Sequence, residues 1–573
     1  MLQIATGKLF RRAVRRENRL RGMLYTNAVI GHEESVETVI GKLLPSSSHA
    51  IRPHVVAYEF TESMEEPAQG PAALVSSGVD PYLNDYAVVV AFALNCVFTP
   101  DVDLCRRLTD GQRGLATRVA PQALVRRFFD AEVWCKPEDR QFLMDFTAKL
   151  IGLPRRSFLG VMRALRTYVN GMYRIADDLE LAYTLLVASV ESLAQDFDEH
   201  QSDWESVDEH KRNVLDEALA AADPVVAQRV KEAFLKVEHV ALARRFREFA
   251  TAHTTPEYFR PRPSNDGPPL GRADLKEALS RAYQSRSKYV HQLKRLPHVV
   301  TLGHSYGETA VDERATHLTL QGLARLMRNI IIEFVSRQPV VDREPYDYEL
   351  ERSGVVQIRM AAQYWVGGTG GDIRQGGRNK LEGFLEQFAA CLLNEPDATI
   401  TDVRPVLQLA VEFVPGLERR HRLPYLALLV GFNGAVRQED QAPVPAAVDA
   451  LIDQELSEPG PEALLAHALC GQTAPWSVGQ HSQAVEDYLR RRGTKNGLRF
   501  PRVIEAAIIL DLAERLRLGG SVDECRKTVA LAVENHPGNE LLQEFERGLQ
   551  LDTPIRWRDI LLAGREQPAP AAG

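Results

Sequence analysis

Arg281-Ala-Tyr-Gln-Ser-Arg286-Ser-Lys-Tyr-Val-His291-Gln-Leu-Lys-Arg295 is the stretch on which the reading of this chain turns. Together with Leu279 just before it, the apolar residues Tyr283, Val290 and Leu293 recur at helical spacing, which predicts one apolar stripe along a helix over 272–296. The member missing from that stripe is position 286, where an arginine stands in place of the expected leucine. Burying a guanidinium costs on the order of several kcal/mol unless it is paired or faces a polar cleft, so Arg286 needs a partner or a task. Its candidate partner is Glu191, the one acid in the interior of a long apolar helix predicted over 179–195.

His291 follows Arg286 by five residues, giving R-x4-H near the end of the same helix. On ideal geometry the two lie about 140° apart around the axis, and the long arginine side chain is expected to reach toward the imidazole. No Asp or Glu occurs between Ala278 and Gly307, whereas Arg281, Arg286, Lys288, Lys294 and Arg295 do, so the region is locally positive in an acidic chain. Such a footprint suits phosphate. A neutral histidine can take the proton of a ribose 2′-hydroxyl, and a neighbouring arginine can stabilise the charge growing on the phosphate oxygens, which suffices to cleave RNA without a metal. Taken by spacing alone, the same pair also reads as a capping histidine beside a salt-bridged arginine.

The rest of the chain sets bounds on that reading. With 573 residues, 45% hydrophobic and 25% charged, it is long enough for several packed cores, and length suggests about three or four domains. A net charge of -8 and a pI near 6.1 exclude a uniformly basic coat. The six cysteines stand singly, without zinc spacing, as expected of reduced thiols in a cytoplasm. No metal or cofactor is expected. The apolar run Ala87 to Phe98 is too short to span a membrane, and the basic start (Lys8, Arg11, Arg12, Arg15, Arg16, Arg19, Arg21) lacks the apolar segment of a secretory signal. That start reads as a solvated basic face or as a phosphate-contacting arm.

Along the chain, residues 1–75 form a β-containing module, with strands expected at Leu20 to Ala28 and His54 to Phe60 and with the Ser46-Ser47-Ser48 run and Gly70-Pro71 as punctuation. An α-rich region, 76–175, follows, with amphipathic helices expected at Ala123 to Glu132, Glu138 to Ile151 and Arg155 to Tyr173. Asp177 and Asp178 are good caps for the helix carrying Glu191, which opens a helical bundle over 176–340; the acidic stretch Asp196 to His210 within it reads as a loop. Six glycines, Gly367, Gly368, Gly370, Gly371, Gly376 and Gly377, crowd the end of the segment 341–379, which runs into Arg378-Asn379-Lys380 instead of a P-loop and reads as a linker. Paired short helices over 380–560, with Ala530, Ala532 and Pro537 placed as in the second helix of a tetratricopeptide repeat, read as an α-solenoid that binds protein. A disordered tail is expected at 561–573. His298 and His304 read as loop histidines outside the site, and the five tryptophans are too dispersed for a base-stacking ladder.

The arrangement resembles the HEPN superfamily, in particular its Apea-like branch: a helix like Tyr183-Thr-Leu-Leu-Val-Ala-Ser-Val-Glu191-Ser-Leu, a later Tyr283-x-x-Arg286-Ser287-Lys288-x-Val290-His291, and a helix like Leu318 to Phe334. The likeness covers about Ala176 to Pro339, and the lead-in Ile151-Gly-Leu-Pro-Arg-Arg resembles the region preceding this domain in Apea-like proteins. The resemblance implies a mainly α protein with a HEPN-type bundle that forms a homodimer or larger homo-oligomer, so that two R-x4-H helices build one composite, metal-independent ribonuclease site. It implies Arg286 and His291 as catalytic residues, with Glu191, Tyr283, Ser287 and Lys288 in support and Arg281, Lys294 and Arg295 on the RNA. Ser287 stands where many nuclease members have Asn, Asp or His, and Gln292 where Gly is frequent. The function implied is a cytoplasmic endoribonuclease acting on cellular or phage RNA, transfer RNA among the candidates, in a toxin or antiviral setting, held in check by the flanking regions through a protein trigger or partner. The alternative is a non-catalytic dimerisation scaffold in which Arg286 serves only as the partner of Glu191. A third option makes Tyr283 or Tyr289 a site of nucleotidyl modification, as in some members of the family.

Overall fold

The structure, a computed structural model, describes residues 1–31, 35–45, 52–67, 76–114, 119–197, 204, 209–237, 241–260, 267–302, 307–312, 314–356 and 358–563. Ser46 to Ser48, Gly70-Pro71, His304, the tail 567–573 and most of the acidic stretch 196–210 lie outside the described residues. The chain is mainly helical with a small N-terminal β-containing module, and it divides into two compact units, Met1–Gln357 and Ile358–Gly573.

In the first unit the strands are β1 (Val14–Thr26), β2 (Ala28–Val29), β3 (Val36–Thr38), β4 (Gly41–Pro45), β5 (His54–Glu65), β6 (Phe98–Thr99) and β7 (Val133–Trp134). Five of them make an antiparallel sheet in the order β3-β4-β5-β1-β6, and β2 pairs with β7 in parallel. Along β5 alternate residues from His54 to Met64 turn inward, the period of two expected of a half-buried strand. The apolar helix Asp80–Leu94 lies on this inner face, where Tyr58 stacks on Tyr86 at 4.2 Å and Phe60 meets Tyr82 at 4.9 Å. Gly22 makes room for it, since a Cβ there would stand 2.8 Å from Leu83.

One hydrophobic core runs from this sheet into the helices, so the segments 1–75, 76–175 and 176–340 share it. Helices Arg155–Arg174 and Leu179–Phe197 form a tight hairpin, Asp178 capping the second by accepting from the Leu181 amide at 2.9 Å. Leu179–Phe197 is the central element: helices Arg155–Arg174, Ala241–Ala252, Leu275–Gln292 and Leu320–Arg337 all pack against it. Gly171 permits a close approach of helix Arg155–Arg174 to it, because a Cβ would come within 3.2 Å of the Leu185 side chain and the Leu186 amide. A hairpin of β8 (Thr309–Asp312) and β9 (Ala315–Leu318), not anticipated from the sequence, precedes the last helix.

Several expectations are corrected. Ala123 to Glu132 is not a helix: only Pro121–Leu124 is helical, and Arg127 at φ 68° turns the chain so that its guanidinium pairs with Asp139 at 2.9 Å. Lys8 does not belong to a solvated basic face; it is buried and donates to the carbonyls of Ile151 and Leu153 at 2.8 and 2.6 Å. Arg15 to Arg21 lie on β1, where Arg21 faces Glu59 at 3.3 Å. The helix expected over 272–296 is shorter, Leu275–Gln292.

The second unit consists of the helices Gly377–Leu392, Arg404–Phe413, Arg419–Ala435, Ala446–Glu455, Pro461–Cys470, Val478–Arg491, Arg502–Leu518, Val522–Asn535, Glu540–Arg547 and Trp557–Leu561, joined by short turns around their own core. Its central helix, Arg502–Leu518, buries every residue from Val503 to Leu510. The glycine-rich segment is anchored at its end rather than free. Lys380 donates to the carbonyls of Trp365 and Gly368 at 2.5 and 2.6 Å, and Gly377 packs where a Cβ would meet the Tyr425 ring at 2.8 Å. Among the described residues no helix is long and apolar enough to cross a membrane.

Gly322, in the first turn of Leu320–Arg337, lies against the Glu308 backbone, whose carbonyl a Cβ would strike. Glu308 is 2% exposed and accepts from the Leu270 amide at 2.9 Å and from Arg325. Gly322→Ala is therefore expected to cost about 3 kcal/mol, the upper range for overpacking, because rigid backbone has to move. Thermal unfolding of the full chain checks this, and an unchanged melting temperature would show that the β8–β9 hairpin docks loosely.

Candidate functional site

The helix Leu275–Gln292 divides into two halves. Leu275, Ala278, Leu279 and Ala282 are buried against the bundle, and Tyr283 completes this contact by packing on Phe246 at 5.6 Å. Beyond it the expected stripe is not in the core: Val290 is 48% and Leu293 76% exposed, because no described element covers the end of the helix. Leu293 closes the helix in the left-handed conformation, φ 52°, its amide donating to Tyr289 O at 2.8 Å and that of Lys294 to Lys288 O at 3.4 Å. Glycine is the usual residue at such a cap.

Where the two halves meet, Arg286 turns inward. Its Nη2 lies 2.8 Å from Glu191 Oε2, with 4% of the glutamate side chain and 22% of the arginine exposed. The Tyr283 hydroxyl donates to the other oxygen, Oε1, at 3.1 Å, and the guanidinium sits 5.6 Å from the Tyr283 ring centre. Both carboxylate oxygens are thus engaged by residues of one neighbouring helix, which is how an acid is tolerated inside Leu179–Phe197. Burial, reinforced by the Glu191 charge and hydrogen bond and opposed by Arg286, raises the Tyr283 hydroxyl to about 12. The Arg286 Nε is enclosed without a partner, and Nη1 makes no hydrogen bond among the described residues.

The other expected site residues spread outward from this triad. His291 is exposed in the last turn, about 7.5 Å farther along the axis, and no hydrogen bond joins it to Arg286. The reach of Arg286 toward His291 is therefore corrected: the guanidinium is held on the opposite side by Glu191. Lys288, Lys294 and Arg295 are exposed, Ser287 is half-buried, and Arg281 is tied to Glu277 of its own helix at 2.7 Å. Tyr289 donates to Asp178 at 3.4 Å, and burial together with that acid raises its hydroxyl. His298 is exposed in the short helix His298–Thr301. The sequence reading missed His317, on β9 beside the motif helix. Its pKa is lowered first by burial and next by the Arg281 charge, with Lys288 adding to the effect. Only a pairing of β9 with this helix reveals it, and nothing in the local sequence signals that pairing.

The chain matches no protein-family model, and no curated protein or solved structure is significantly similar to it. Among the described residues no group of three or more His, Cys, Asp or Glu stands close enough together to hold a metal ion.

Removing one partner of a buried ion pair leaves the other charge uncompensated, which costs about 3–5 kcal/mol, whereas replacing both by apolar groups of similar size is near neutral. Arg286→Ala should therefore destabilise the first unit by that amount and Glu191→Leu/Arg286→Met by about 1 kcal/mol or less. Tyr283→Phe, losing one hydrogen bond to the carboxylate, should cost about 1–2 kcal/mol. Urea unfolding of wild type, these three variants and the single variants Glu191→Leu and Arg286→Met reads these values, and additive effects of those two single replacements would show that the pair is not coupled.

Proposed function

We propose that residues 176–340 of the first unit are a HEPN-type bundle acting as a metal-independent endoribonuclease, in which His291 and Arg286 do the chemistry. The observation that carries this is an arginine fixed by a buried acid with Nη1 left unbonded, on the same helix as an exposed histidine, within a stretch free of Asp and Glu. Neutral His291 takes the proton from a ribose 2′-hydroxyl, the oxygen attacks the adjacent phosphorus, and the P–O5′ bond breaks. Arg286 offers Nη1 to the phosphate oxygens as charge builds on them. The leaving 5′-oxygen takes up a proton, so the products carry 2′,3′-cyclic phosphate and 5′-hydroxyl ends. Lys288, Lys294 and Arg295 supply the exposed positive charge that holds the RNA backbone.

Within one chain Arg286 and His291 point about 140° apart, so they cannot grip one phosphate together without a second helix. Val290 and Leu293, four and seven residues after Arg286, share its face and are exposed, which favours a second copy lying along this surface. In this reading a homodimer builds the composite site, the protein acts in the cytoplasm in a toxin or antiviral-defence role, and the second unit, as an α-solenoid, binds the protein that governs it.

A specific observation also favours the scaffold reading. Glu505, 2% exposed inside Arg502–Leu518, accepts from the Tyr488 hydroxyl at 2.7 Å and pairs with Arg492, the same two residue types that engage Glu191. A Glu–Tyr–Arg cluster is thus a structural device elsewhere in this chain. Loss of Arg286 cannot separate the two readings, since it destabilises in both, but loss of His291 can, because its side chain is exposed.

Wild-type chain and His291→Ala, incubated with transfer, ribosomal and messenger RNA in excess EDTA, test the reading. Cleavage by wild type giving cyclic-phosphate ends, reduced at least 100-fold by His291→Ala at unchanged melting temperature, is the expected outcome. Equal cleavage by both proteins removes His291 from the chemistry, and no cleavage by either leaves the scaffold.

A further inference from the structure

The second unit contains a cavity of about 500 Å3 whose walls come from four helices and two loops. Helix Val478–Arg491 contributes Gln480, Gln483, Ala484, Asp487, Tyr488 and Arg491, spaced at three, four, seven, eight and eleven residues and so lying on one face. Helix Arg419–Ala435 adds Leu423 and Pro424, helix Pro461–Cys470 adds Pro461 and Glu462, and the segment after Arg492 adds Leu498. The volume falls in the range of ligand sites, and the mixture of apolar floor and polar edge is typical of them.

Four arginines line it, Arg378, Arg420, Arg491 and Arg492, against two acids. Arg492 is neutralised by Glu505 and Asp487 by Arg490. Arg420 pairs with Glu418 at 2.9 Å, but both side chains are more than 70% exposed, so the pair is weak. Among the described residues the Arg378 side chain donates only to the Lys495 carbonyl at 3.0 Å, and the Arg491 guanidinium has no partner. Burial raises the pKa of Glu462. The cavity is left with guanidinium groups that no acid of the described chain satisfies.

Such charge suits either nucleic acid or an acidic protein segment, and the aromatic content decides between them. The one aromatic residue in the lining, Tyr488, is 2% exposed, its ring stacked on Phe500 at 4.8 Å and its hydroxyl bonded to Glu505. It offers no face on which a base could stack. The apolar surface of Leu423, Pro424 and Leu498, beside the amides of Gln483 and Asn496, matches a peptide instead. We propose that this cavity docks a short acidic segment of a partner protein, its carboxylates taken by Arg378, Arg420 and Arg491 and its apolar side chains set on Leu423 and Leu498. The proposal stands whether or not the first unit cleaves RNA.

Fluorescence anisotropy on the full chain tests it with a labelled hexapeptide of alternating Glu and Leu, prepared as free acid and as C-terminal amide, and with its Gln–Leu counterpart. The Glu peptide should bind at least tenfold tighter than the Gln peptide, and Arg378→Ala/Arg491→Ala should lose at least tenfold while melting as wild type. Arg526→Ala, outside the lining, should bind as wild type. Equal affinity of acid and amide assigns recognition to side-chain carboxylates; a tenfold loss with the amide assigns it to a chain terminus, and either result supports the site. Failure of the Glu peptide to bind, equal binding of the Gln peptide, retention of affinity by the double variant, or displacement of the peptide by oligouridylate at equimolar concentration would overturn the proposal.

Discussion

A carboxylate at the centre of an apolar helix is the constraint around which the first unit is arranged. Glu191 lies in Leu179–Phe197, the element every neighbouring helix of the bundle touches, and it is 3% exposed. Water cannot solvate it there, so donors from another helix must meet it. Arg286 and Tyr283 do so from a single helix, one for each oxygen. The bonds fix the rotation of Leu275–Gln292 about its axis, and with it the direction in which His291, Lys288 and the exposed apolar pair Val290 and Leu293 point. Stability and the candidate chemistry thus share one contact.

That sharing explains why the site was partly legible in the sequence. An arginine in a leucine position and a lone interior acid 95 positions earlier each announce an electrostatic debt, and their pairing follows from polar satisfaction without knowledge of the fold. The period-based reading failed one turn later, where Val290 and Leu293 continue the apolar pattern but project past the end of the bundle. Periodicity reports which residues share a face, not what covers it. The reach of Arg286 to His291 failed for a related reason: a long side chain has many rotamers, and the buried acid selects the one that points away.

Fold class was more legible than boundaries. The long helices at 137–152, 155–174 and 179–197 match their patterns, because each is amphipathic or apolar over several turns. Ala123 to Glu132 has the same composition but bends at Arg127, where an ion pair to Asp139 and a left-handed backbone override local propensity. Lys8 was unreadable for a similar reason. Two carbonyls about 145 residues away, at the C-terminal end of helix Pro137–Gly152, draw its ammonium into the core. In the second unit, the buried Glu505 repeats the Glu–Tyr–Arg solution of the first.

The account rests most directly on the claim that Arg286 of one chain works with His291 of another. Mixing Glu191→Leu/Arg286→Met, which keeps the histidine and a compensated core, with His291→Ala, which keeps the arginine, tests that claim through RNA cleavage in excess EDTA. Each protein alone should be inactive, and the mixture should regain cleavage with cyclic-phosphate ends as mixed dimers form. Wild-type cleavage that no mixture restores would contradict the composite site.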